Sequence, residues 1–115
     1  MTTRTPVETV LAQADAYRRQ DAALAWELLD ESLTFTSPQD DHLDRDGFMA
    51  VCFPTADRFS EQEMVRSLEI EPGVVLLEYI ARPPDGPAFS NVEISRVREG
   101  RIVEIRVYFG GPVAG

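Results

Sequence analysis

The 115-residue sequence contains no lysine, and all 11 of its basic residues are arginine. That excludes Schiff-base lysine chemistry and the lysine of a phosphate-binding P-loop. Cys52 is the one cysteine, so no internal disulfide forms and no cysteine-based zinc site can be assembled. His42 is the one histidine, which excludes multi-histidine metal centres. No metal or other cofactor is expected. No segment approaches the ~20 apolar residues of a membrane span, and Met1 to Val10 shows no signal-peptide pattern. The chain reads as a soluble cytoplasmic protein.

Positive charge is scarce. Twenty acidic residues against 11 basic ones give a net charge of −9. Residues 1–63 hold 13 acids and 5 arginines, and residues 64–115 hold 7 and 6. Such a surface repels phosphate backbones and anionic bilayers, so neither nucleic acid nor a membrane is expected as a partner. Hydrophobic residues make up 43%, near the globular norm. The length predicts one domain over residues 1–115.

The first half reads as helical. Thr5-Pro6 suits a helix start, and Val7, Val10, Leu11, Ala14 and Tyr17 follow helical spacing. Asp21 can cap a short second helix carrying Leu24, Ala25, Leu28 and Leu29. Ser32 to Thr36 alternates as a strand that ends at Ser37-Pro38, and Gln39-Asp40-Asp41-His42 forms a polar loop. Asp44 or Asp46 can cap a third helix with Phe48, Met49, Val51 and Cys52, stopped at Phe53-Pro54. The second half reads as four strands, near Phe59–Glu71, Val74–Arg82, Ala88–Val97 and Ile102–Phe109. Turn signals at Pro72-Gly73, Pro84-Asp85-Gly86 and Glu99-Gly100 separate them. The pattern predicts an α+β fold: three N-terminal helices on one face of a curved antiparallel sheet.

The turns set the register. Arg98-Glu99-Gly100 fits either a two-residue turn or a three-residue loop. The loop avoids positive φ at Glu99 and pairs Glu93 with Ile105 and Asn91 with Val107. The Pro84-Asp85-Gly86 turn pairs Tyr79 with Asn91 and Leu77 with Glu93. One face then carries Val75, Leu77, Tyr79, Phe89, Asn91, Glu93, Ser95, Val103, Ile105, Val107 and Phe109. This mostly apolar surface with convergent polar groups is how small-molecule pockets are lined. The other face carries Glu78, Val92, Ile94, Arg96, Glu104, Arg106 and Tyr108, and suits a sheet-to-sheet homodimer. A one-residue slip exchanges the faces.

Three stretches carry a resemblance to the SnoaL-like proteins of the cone-shaped NTF2-like superfamily. They are Ala16-Tyr17-Arg18-Arg19-Gln20-Asp21 with the second helix, Leu33-Thr34-Phe35-Thr36-Ser37-Pro38, and Val92 through Gly110. The resemblance implies a curved sheet around a pocket closed by helices, usually in a dimer. Its members include ketosteroid isomerases, polyketide cyclases, epoxide hydrolases and dehydratases, together with proteins that only bind or scaffold. Against ketosteroid isomerase, the general-base aspartate falls at Ser37, the oxyanion-hole acid at Glu93 and the oxyanion-hole tyrosine near Gln13.

Glu93 is the leading candidate catalytic residue. Buried on the pocket face, its pKa rises and it acts as a proton donor or acceptor near neutrality. In the reversed register Val92 and Ile94 face inward and Glu93 faces water. Asn91, the only asparagine, and Tyr79 are placed to bind a ligand carbonyl or hydroxyl. Tyr17, Leu77, Ile105, Val107 and Phe109 complete the expected substrate-binding wall. Asp40 or Asp41 can replace the base missing at Ser37, with His42 as partner, or the loop is simply solvated. Cys52 reads as core rather than nucleophile. The expected function is cofactor-independent isomerisation, cyclisation or dehydration of a hydrophobic oxygenated compound such as a polyketide or steroid-like molecule. The alternatives are a non-catalytic binding protein with the same pocket, or a dimeric interaction module using Arg96, Arg106 and Tyr108.

Overall fold

The computed structural model describes residues 4–58 and 61–113. Helix α1 spans Pro6–Arg19. Thr5 caps it by accepting from the Glu8 N–H at 3.1 Å while the Glu8 carboxylate accepts from the Thr5 N–H at 2.8 Å. This reciprocal pair satisfies two donors that a helix start otherwise leaves unmade. Helix α2 spans Ala22–Leu28 behind the expected Asp21 cap and runs directly into strand β1, Leu29–Thr36. Helix α3 spans Arg45–Val51, capped by Asp44, and a 3-10 helix follows at Phe53–Arg58.

Four strands complete the fold: β2 (Glu61–Glu71), β3 (Val74–Arg82), β4 (Phe89–Arg98) and β5 (Arg101–Pro112). The expected second-half strands appear in order; Phe59 and Ser60, placed at the start of the first of them, lie outside the described residues. The strand order is β1-β5-β4-β3-β2. β2 to β5 form the expected antiparallel meander, but β1 lies parallel to β5, pairing Phe35 with Ile105. The sheet is therefore mixed. Alternation within β1 sets which side chains face inward but carries no information about the direction of a neighbour some 70 residues away. The α+β arrangement of helices on one sheet face stands.

Helices and sheet meet in a core that includes Val10, Leu29, Leu33, Phe35, Phe48, Val75, Leu77, Ile102 and Ile105, all buried. The opposite sheet face is covered by no helix among the described residues. It carries Leu68, Tyr108 and the ion pairs Arg66–Glu78 and Arg96–Glu104.

The β4–β5 hairpin departs from expectation in an instructive way. Arg98 pairs with Arg101, so Glu99-Gly100 is a two-residue turn, with φ of 53° and 77°. Both central residues are left-handed, as a type I′ turn requires and as its right-handed twist favours between strands. This turn alone would place the even-numbered residues of β5 inward. A bulge at Val103, between the Arg96–Glu104 and Val97–Ile102 pairs, restores the parity. Glu93 therefore faces Val107 rather than Ile105, Asn91 faces Phe109 rather than Val107, and Ile105 sits opposite Ser95. The expected pocket face survives with its register moved by two residues. Val103 leaves that face, and Ile102, 1% exposed, packs in its place.

Glu99 holds its left-handed backbone at a cost of about 1–2 kcal/mol for a residue with an ordinary Cβ. Glu99→Asn, which tolerates that region, should raise the unfolding free energy by about 1 kcal/mol in urea titrations. An unchanged midpoint would mean the turn carries no such strain. In the β2–β3 turn Gly73 has φ of 78°, and a Cβ there would lie 3.0 Å from the Val97 carbonyl oxygen. Glycine lets that close approach occur, and the Gly73 carbonyl in turn accepts from the Val97 N–H at 2.7 Å.

Candidate functional site

A cavity of about 320 Å³ opens between α1, α3 and the concave sheet face. From α1 the wall takes Val10, Gln13, Ala14 and Tyr17, the i, i+3, i+4, i+7 stripe that helical spacing brings to one side. β3, β4 and β5 contribute Leu77, Tyr79, Asn91, Glu93, Ile105, Val107 and Phe109. The loop after β1 adds Ser37 and Asp40, and the end of α3 adds Cys52.

The polar centre of this wall is one hydrogen-bonded chain across β3 and β4. Tyr79 pairs with Asn91, and Leu77 with Glu93, as the Pro84-Asp85-Gly86 turn predicts. The Asn91 Nδ2 donates to the Tyr79 hydroxyl at 3.2 Å, and that hydroxyl donates to Glu93 Oε1 at 3.2 Å. Tyr79 thus spends its only proton on Glu93 and holds the carboxylate in place. It does not offer that proton to a ligand, as the sequence reading supposed. Glu93 Oε2 has no hydrogen-bond partner among the described residues.

Burial drives the Glu93 pKa up to about 7; the Tyr79 bond, which favours the ionised form, offsets part of this. Glu93 keeps some accessibility because it opens onto the cavity, yet among the described residues no cationic side chain lines the cavity to neutralise it. The carboxyl therefore exchanges protons near neutrality, where a general acid or base is most effective. The same burial and the Glu93 charge raise the Tyr79 pKa well above the usual phenol range, so its hydroxyl stays neutral.

Tyr17 lies on the cavity wall, but its hydroxyl is tied to Thr55 Oγ1 at 2.7 Å. Thr55 in turn donates to the Cys52 carbonyl at 2.7 Å. The ring packs edge-on to Phe53, with centroids 6.2 Å apart. Half-exposed Phe109 stands where the cavity meets solvent.

The loop residues separate. Asp40 faces the cavity, held by a tight turn in which the Ser37 N–H donates to the Asp40 carbonyl at 2.8 Å. The Ser37 hydroxyl accepts from the Gln39 and Asp40 N–H groups at 3.1 and 3.2 Å, so it serves the turn. His42 and Asp41 do not join Asp40. His42 has φ of 54°, which turns its side chain outward, where it pairs with the Asp41 carboxylate; their side chains are 70% and 91% exposed. A base formed from Asp40 with His42 as partner is therefore not assembled. Cys52 is held as a neutral thiol, its pKa pushed up to about 11 by burial and then by Asp40 and Glu93. That suits the packing role expected of it.

Gln13 is the residue that reasoning from the side chains alone passed over. It sits in the middle of the apolar stripe of α1, 6% exposed, and neither its Nε2 nor its Oε1 has a partner among the described residues. Asn91 Oδ1 is likewise buried without a partner among the described residues. An unpaired buried amide atom costs about 1–3 kcal/mol, so such atoms usually mark places where something else supplies the bond. The signal available in the sequence was a glutamine at a position where helical spacing calls for an apolar residue.

No protein-family model matches the chain, and no curated protein matches it in sequence. Solved structures do match. An NTF2-like protein of unknown function from Burkholderia xenovorans superposes with a TM-score of 0.79 at 20% identity, covering 96% of this chain and 86% of that one. IdmH of Streptomyces antibioticus, a candidate polyketide cyclase, gives 0.77 at 22% identity, covering 92% of each chain. An LEH-like epoxide hydrolase of M. tuberculosis gives 0.74 at 21%, covering 90% and 81%. Together with the helices stacked on a five-stranded sheet, these likenesses establish that the chain has the NTF2-like fold.

Proposed function

We propose that this protein is a cofactor-independent acid/base enzyme that moves a proton on a carbon next to a carbonyl, within a hydrophobic oxygenated compound. The observation that carries the reading is Glu93: a carboxyl on the cavity wall, hydrogen-bonded by Tyr79 and titrating near 7. As carboxylate it takes the proton from carbon; as carboxylic acid it returns the proton elsewhere on the same substrate. Isomerisation, cyclisation and dehydration all contain such a step. Gln13 Nε2, the unpartnered donor on the facing helix, suits the oxygen on which negative charge develops. The cyclase and hydrolase among the fold neighbours support small-molecule chemistry by analogy only, since one fold hosts many activities. The reading includes a homodimer through the uncovered sheet face, supported by exposed Leu68 and Tyr108 there.

A binding protein without chemistry is favoured by one feature, the serine at position 37, whose hydroxyl is occupied by its own turn. Deuterium exchange separates the two readings. 1-Tetralone and its 5-, 6- and 7-hydroxy derivatives are incubated in D₂O, and loss of the C2 protons is followed by proton NMR. The enzyme reading expects exchange faster than buffer, with a rate that rises through pH about 7 as Glu93 ionises. Binding without any accelerated exchange across the panel would leave the non-catalytic reading.

A further inference from the structure

The cavity's unsatisfied polar atoms describe its occupant. Asn91 Oδ1 and Gln13 Oε1 are acceptors, each buried and without a partner among the described residues, on residues that are both 6% exposed. The Asn91 assignment follows from its neighbour. The Tyr79 hydroxyl has one proton and gives it to Glu93, so it must accept from Asn91, which turns the amide nitrogen to Tyr79 and leaves the oxygen over. Against these two oxygens, Gln13 Nε2 is the only buried unpartnered donor on the cavity wall among the described residues; Arg45 Nε, also unpartnered, does not line the cavity. Among the described residues the wall also holds two carboxyl groups, Asp40 and Glu93, and no arginine or histidine. A ligand carboxylate or phosphate would meet two carboxyl groups and no counter-ion among the described residues. A plain ketone or hydrocarbon would cover the amide oxygens without giving them a proton, and displacing water that way loses affinity.

We infer that the occupant is an uncharged molecule that brings its own hydrogen-bond donors: a hydroxylated carbonyl compound whose O–H seats on Asn91 Oδ1. It is a small one, since about 320 Å³ lies at the lower end of ligand cavities. The inference rests on the acid/base reading for the carbonyl, because an ammonium ligand would hold Glu93 ionised and remove its acid role. The hydroxyl requirement rests on Asn91 and Gln13 alone.

Affinity tests it without reference to turnover. Binding of 1-tetralone, its 5-, 6- and 7-hydroxy derivatives and 6-carboxy-1-tetralone is measured by isothermal titration calorimetry on the intact chain. A site built to satisfy a hydroxyl discriminates strongly against the analogue that lacks it. At least one hydroxytetralone should bind about tenfold or more tighter than the parent, and the carboxylate should bind more weakly than either. In Asn91→Leu the hydroxyl advantage should vanish, while Gln13→Leu should weaken all the ketones. Equal affinity for parent and hydroxylated ketones in the unaltered chain overturns the inference, whatever the variants do. So does preference for the carboxylate, an advantage that persists in a folded Asn91→Leu, or no binding by any member. A hydroxyl preference without proton exchange would sink the enzyme reading and leave this one standing.

Discussion

Glu93→Gln should slow exchange of the ketone C2 protons by about 10²–10⁴-fold, the usual contribution of a positioned general base. Affinity for the same ketones should stay within about threefold, because loss of a group that acts only in the transition state lowers kcat without raising KM. Glutamine has the shape of glutamate, and its carbonyl oxygen can still accept from Tyr79 where Glu93 Oε1 now does. A companion variant checks the role through its pH dependence. The Tyr79 bond holds the Glu93 pKa down against burial. Tyr79→Phe should therefore move the midpoint of the rate profile above about 7, with the plateau at high pH largely kept. Exchange rates by NMR from pH 5 to 9 read both. Full activity in Glu93→Gln would remove Glu93 from the chemistry. A Tyr79→Phe midpoint at or below that of the unaltered chain would show that Tyr79 does not position it.

The same substitution should stabilise the protein, but only on one side of neutrality. The Glu93 carboxyl ionises near 4.5 when the chain is unfolded and at about 7 when folded. Between those values the folded chain binds more protons than the unfolded one, so stability falls as pH rises. The contribution is fully present below pH 4.5 and lost as pH passes through 7. A shift of this size corresponds to about 3 kcal/mol, less whatever the cavity's water recovers. Glu93→Gln never ionises. At pH 8 it should exceed the unaltered chain by about 2–3 kcal/mol, or on the order of 10 °C in Tm. At pH 4 the two should coincide. Paired thermal melts at both pH values cancel the other titrating groups, which the two chains share. An equal difference at both would place the Glu93 carboxyl in water. Stability given up at a catalytic position is the usual form of the trade between activity and stability.

Much of this arrangement was legible in the sequence because its causes are local. Asp21 and Asp44 cap helices where short acceptors precede apolar periodicity, and the Pro84-Asp85-Gly86 turn alone aligns Tyr79 with Asn91 and Leu77 with Glu93. Glu93 and Asn91 share a face because side chains alternate along a strand. What escaped has non-local causes. β1 meets β5 in parallel, a pairing across most of the chain that alternation cannot encode. The bulge at Val103 answers to packing across the sheet, since nothing in Arg101-Ile102-Val103-Glu104 marks an extra residue. His42 belongs to a polar loop whose left-handed backbone decides where the ring points. Gln13 was hidden by its neighbours, being the one amide in a stripe whose spacing announces a core.

The β4–β5 hairpin combines two offsets that cancel, the two-residue turn and the bulge at Val103. If Val103 were instead drawn into the ladder opposite Arg96, with no residue lost, the two sides of β5 beyond it would exchange. Arg106 and Tyr108 would then line the chamber, and Ile105 and Val107 would face outward. An acidic, donor-seeking interior would become one with a guanidinium in its wall, suited to anions. The bulge thus acts as a charge filter, keeping Arg106 out of the chamber by leaving one residue unpaired.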